Sequence, residues 1–179
     1  MSSRAVIVEV FRVRSQLELL AADAEQVVIG AGGLICDRAL DGWQVVVWMP
    51  DAAGSVALKI LGAEVRLAGS EVAIAADIKL PLVQITPALD ASSGVRQCQT
   101  YLCDRSDPGG ARVGRPGPQA VADGVFHHRL SFAAQAFKAQ ALGACGSPAA
   151  VEVVEVFRAT DMRWSIGPSA GRTVTTQVH

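Results

Sequence analysis

Charge is the first thing this sequence has little of. Asp, Glu, Lys and Arg make up 18% of the 179 residues, below the roughly 25% of an ordinary soluble domain. The two signs nearly cancel, with 16 Lys and Arg against 17 Asp and Glu. No global field therefore draws the chain to nucleic acid or to an anionic membrane. Long apolar runs are missing as well: none reaches the roughly 18 residues of a spanning helix. The start, "MSSRAVIVEVFRVRSQ", has too short an apolar core for a signal peptide, so a cytoplasmic location is expected. Cysteine is sparse and scattered, at Cys36, Cys98, Cys103 and Cys145. Structural zinc needs two close ligand pairs, and only Cys98 and Cys103 are near each other, so no metal is expected.

What is present is apolar. Half of the residues (50%) are hydrophobic and mean hydropathy is +0.31. A chain of this length can bury a core without staples. The surplus points either to an extensive α/β core or to apolar surface covered by another subunit.

Read for periodicity, residues 5–13 are β-branched and predict a first strand. Ser15 and Glu18 have capping-box spacing. Leu17, Leu20, Ala24, Val27, Val28, Ala31, Leu34 and Ile35 then recur at helical intervals. Together they predict one long helix near 16–41, closed by Gly42. "WQVVVWM" (43–49) predicts a central strand. A short helix ending at Gly62, a strand from Ala63 to Leu67 and a strand begun by Pro81 follow. "QCQTYLC" reads as an edge strand inside a Pro/Gly/Ser/Arg-rich region, and 104–119 as a mobile loop. Two C-terminal helices are predicted, near 125–143 with Gly143 as its stop, and near 148–160 with Ser147-Pro148 at its start. In the second, Glu152 and Glu155 share a polar stripe only if the segment is helical. The expected fold is a single α/β domain over 1–167, with a mixed or mostly parallel sheet flanked by helices and a tail at 168–179. The pentapeptide "VEVFR" occurs at 8–12 and 154–158 with unrelated flanks, and is read as coincidence.

Four stretches invite a chemical reading. "VVIGAGG" (27–33) resembles the opening of flavin- and nicotinamide-dependent Rossmann proteins. That resemblance implies an NAD(P) or FAD site using Gly30, Gly32 and Asp51. It extends over seven residues, and Ile35 stands where a third glycine would let helix and strand pack closely. The competing expectation is a continuous helix, with the glycines as close-packing points. "HHR", His127 to Arg129, read as helical, cannot form a two-ligand metal face, which needs i, i+4 spacing. A His–Asp–nucleophile set with Asp123 and Ser131 is open, although no Gly-x-Ser-x-Gly elbow exists. The loop arginines Arg105, Arg112 and Arg115 could close on an anion, but no Gly-Lys-Ser/Thr follows and no aromatic offers a base a stacking surface. A helix-turn-helix around Gly143 would present Ala, Val, Glu and Phe to DNA, the wrong chemistry for base edges.

No convergent catalytic set emerges. The expectation is a non-catalytic cytoplasmic domain without a cofactor, acting by protein–protein or self association as a homo-oligomer. The alternatives are the degenerate Gly-x-Gly nucleotide site and anion sensing through the arginine loop.

Overall fold

The computed structural model describes residues 15–69, 80–86, 99–104 and 124–160. The first predicted strand (5–13), nearly all of the 104–119 loop and the 168–179 tail lie outside them. In chain order the elements are β1 (Gln16–Leu20), α1 (Ala24–Leu40), β2 (Gln44–Met49), α2 (Ser55–Ile60), β3 (Glu64–Leu67), β4 (Leu82–Thr86), β5 (Gln99–Asp104), β6 (Val125–Arg129), α3 (Phe132–Ala144) and β7 (Val154–Thr160). The strands form one seven-stranded sheet ordered β3-β2-β1-β4-β5-β7-β6.

The sheet is mixed. β1, β2 and β3 run parallel because α1 and α2 carry the chain back between them. Every pairing from β1–β4 onward is antiparallel. Leu17, Leu19, Val45, Val47, Val83, Tyr101, Cys103, Phe126 and Phe157 line one face; α1 and α2 pack onto it, and α3 packs across α1 and α2. Leu20, Val46 and Leu82, on the opposite face, are buried too.

All three described helices stop by one device. Gly42, Gly62 and Gly146 follow the last helical turns with positive φ. Each donates its N–H back into the turn: Gly42 to Ala39 O, Gly62 to Lys59 O, Gly146 to Gly143 O. The next residue does the same, Trp43 to Arg38 O, Ala63 to Leu58 O and Ser147 to Leu142 O. This is the Schellman closure, which a residue without Cβ adopts at least cost.

Three predicted elements are corrected. The long helix begins at Ala24, not near 16. Its N-cap is Asp23, whose side chain accepts the Gln26 N–H at 3.0 Å; Ser15 and Glu18 belong to the β1 region. Leu17 and Leu19 are buried on the helix-facing side while Gln16 and Glu18 alternate with them half-buried, and Leu20, buried on the opposite face, breaks the alternation that marks a strand. Residues 125–129 are strand β6, so the helix there starts at Phe132, and Gly143 lies inside it. Residues 154–160 are strand β7, not helix. Its β-branched valines suit a pleated surface, and the two glutamates separate: Glu152 is exposed ahead of the strand and Glu155 points inward. With no second helix, the helix-turn-helix reading falls. β5 is also interior, between β4 and β7, rather than an edge strand.

Candidate functional site

The most concentrated chemistry lies in the interior, where α1, α3 and β7 meet. Lys138 is the only charged residue of α3, and it is 1% exposed. Its Nζ stands 2.6 Å from Oε1 of Glu155 on β7. Nζ also donates to the carbonyl oxygen of Ile29 at 2.7 Å. The Glu155 carboxylate accepts two backbone N–H groups of α1, Gly33 on Oε1 at 2.7 Å and Leu34 on Oε2 at 2.8 Å. Ile29 O and Gly33 N–H are the acceptor and donor that an α-helix pairs with each other. Here the ion pair engages both, so it is wedged across one rung of α1. A buried charge pair needs this saturation, since desolvating both ions costs more than their attraction alone returns.

The glycines of α1 make room for this arrangement. A Cβ on Gly33 would lie 2.1 Å from Leu130 Cγ, and one on Gly30 would lie 3.0 Å from Cys103 Cβ. At Gly32 the nearest atoms are Leu61 and Lys138 side-chain carbons at 3.4 Å. Gly33, which the motif reading passed over, is the tightest of the three. Burial pushes the Cys103 thiol well above its ordinary value, with the Glu155 carboxylate adding to the rise and Lys138 opposing it. Burial likewise raises the Cys36 thiol, with Asp37 and Glu155 adding to it. Thiols shifted this way are poor nucleophiles.

One turn further along α1, Asp37 joins two elements. Its Oδ2 lies 2.9 Å from His128 Nε2 and accepts the Ser131 N–H at 3.1 Å; its Oδ1 accepts the Ser131 hydroxyl at 2.5 Å. Ser131 in turn caps α3, its Oγ accepting the Ala134 N–H at 3.0 Å. The residue types are those of an acyl-transfer triad, but the order is wrong. The acid stands between histidine and serine, whereas activation of a serine needs the histidine against its hydroxyl. This cluster is a brace for the start of α3. The Nδ1 of His128 is buried and has no hydrogen-bond partner among the described residues.

The other candidates are dispersed. Val27 to Gly33 is helical throughout, so the strand–turn–helix of a pyrophosphate cradle does not form at Gly30 and Gly32. The real strand-to-helix turn is Ala21 to Asp23, where Asp23 and Glu25 already bring negative charge to the helix N-terminus. Asp51 sits in the exposed turn after β2 and accepts the Ala53 N–H at 2.8 Å. His127 and His128 alternate across β6, the second one inward. Arg105, Arg112, Arg115, Cys98 and Asp123 lie outside the described residues. Among those described, no three His, Cys, Asp or Glu side chains gather as a metal-binding group, and no helix is long and apolar enough to cross a membrane.

No protein-family model, curated protein or solved structure matches this chain.

Sequence reasoning missed Lys138, Glu155 and Asp37. One signal was present: a lone lysine in "FAAQAFKAQALGA" has no solvated polar face to belong to. Its partner is 17 residues away on a strand read as a helix.

Proposed function

We propose that this chain is a non-catalytic cytoplasmic α/β domain that works by associating with protein through the outward face of α3. One observation carries the reading. An ordinary surface helix turns its charge outward and its large apolar groups inward; α3 buries Ala134, Ala141 and Leu142 but departs from that rule in its lysine and its phenylalanines. Its only charge is buried, while Phe132 is 91% and Phe137 40% exposed. The rest of the outer face is alanine, glycine and Gln140. Val153, 44% exposed, adjoins the start of the helix through its carbonyl, which accepts the Leu130 N–H at 2.9 Å. An exposed apolar patch of this kind marks an interaction surface. The free thiols Cys36, Cys103 and Cys145 fit a reducing compartment.

Within this reading the Lys138–Glu155 wedge and the Asp37 brace are positioning devices. They hold α3 by its inner side and fix which residues face out.

A photo-cross-linking side chain placed at 132 in the intact cell tests the proposal, with one at exposed Asp51 as control. A discrete protein adduct at 132 and none at 51 is the expected result. Adducts at neither position, or equally at both, would reject it.

A further inference from the structure

The structure assigns a second contact surface, distinct from the α3 face. It is the outer edge of β6, which fits an extended acidic segment of another protein, added antiparallel as a further strand. β6 ends the sheet on one side, with β7 as its neighbour. Gly124 O and the Leu130 N–H are both bonded across to the β7 side. Backbone groups alternate sides along a strand, so those of Phe126 and His128 face β7 too. The N–H and C=O groups of Val125, His127 and Arg129 therefore point off the sheet, where no strand among the described residues meets them. A row of unpaired donors and acceptors is a template for another strand.

Side chains select which strand can be added. His127 and Arg129 alternate with the buried Phe126 and His128, on the sheet face away from the helices. Neither is hydrogen-bonded or ion-paired to the described residues, and "VFHHR" contains no carboxylate. The other edge strand differs. On β3, Arg66 and Glu64 bridge each other at 2.8 Å, so that edge answers its own charge. On β6 the unanswered groups are a guanidinium and an imidazole, and both bond carboxylate oxygens. An antiparallel strand places the residues opposite His127 and Arg129 on the same face as those side chains, with Cβ atoms about 4.5–5.5 Å apart. Acidic residues two positions apart in the incoming segment meet both. A second copy of β6 would bring only its own arginine and histidines, like against like.

Fluorescence anisotropy of the full chain with a short labelled peptide that alternates glutamate and valine tests this. The peptide should bind, and should slow hydrogen exchange at the amides of Val125, His127 and Arg129. Methylating its glutamate nitrogens, which face β6 in this pairing, should weaken binding at least about tenfold. Methylating its valine nitrogens, which face solvent, should leave binding unchanged. A counterpart alternating lysine and valine should not bind the wild type. Arg129→Glu should weaken binding of the glutamate peptide at least about tenfold and confer binding of the lysine peptide. Arg129 is exposed, so unchanged melting verifies that the variant folds. No binding of the glutamate peptide up to millimolar concentration, equal binding of the two methylated forms, or a preference that Arg129→Glu does not reverse overturns the assignment. Self-association of the chain that Arg129→Glu abolishes makes a second copy the occupant and overturns it as well.

Discussion

At the scale of single residues, the fold depends on one buried charge pair and the glycine beside it. Lys138 and Glu155 are 1% and 2% exposed, so neither can be left alone. Lys138→Met or Glu155→Gln should each cost about 3–5 kcal/mol, because the survivor keeps its burial and loses its partner. Lys138→Met combined with Glu155→Gln should cost clearly less than the two single losses added together, a coupling that urea denaturation of the four proteins measures. The glycines give a sharper contrast. Gly33→Ala drives a methyl to 2.1 Å from Leu130 Cγ and should lose about 2–3 kcal/mol, the upper range for overpacking. Gly32→Ala meets only ordinary contacts at 3.4 Å and should gain up to about 1 kcal/mol of helix propensity. Equal effects at the two sites would mean that close packing is not what Gly33 provides.

At the scale of elements, α3 is held by its start and its inner side and is free along its outer face. Ser131 caps it, and Asp37 holds Ser131. Ser131→Ala should cost about 1 kcal/mol, the usual loss of a cap, and should speed hydrogen exchange at the Ala134 amide. Asp37→Ala should cost more, since it also strips the partner from the buried His128 Nε2, a vacancy worth about 1–3 kcal/mol. A larger loss for Ser131→Ala than for Asp37→Ala would remove Asp37 from its bracing role. Elements also differ in how legible they were. β2, α2, β3 and β4 could be read because turn residues bound short apolar runs. β1 could not, since Leu17 and Leu20, buried on opposite faces of the sheet, stand at the three-residue spacing of a helical stripe. β7 was misread because a helix would keep Glu152 and Glu155 on one stripe; Glu152 lies ahead of the strand, so the strand has only Glu155 to place, and buries it.

At the scale of the molecule, the proposed association through α3 acts on a surface that the fold does not need for its own stability. Phe132 is 91% exposed, so Phe132→Glu should change stability by no more than about 0.5 kcal/mol, a shift of about 1–2 °C in melting temperature. Scanning calorimetry of the two proteins checks this, and a fall of several degrees would place Phe132 in the packing of the fold rather than on a contact surface. The sequence by itself determined the class of this protein. Its low charge and high apolar content required an extensive core or a covered surface, its helix-stop glycines at 42 and 62 set two boundaries, and its Val- and Leu-rich runs supplied the strands. Only the tertiary structure decided which polar groups meet. Ile29, Gly33, Lys138 and Glu155 come from three elements whose facing depends on strand register and helix rotation, and neither is encoded locally. The helix through the glycine stretch was expected from the sequence; the packing decided which neighbour each glycine admits, Cys103 at Gly30 and Leu130 at Gly33. It also turned the phenylalanines of α3 outward, since its single lysine was committed to the interior.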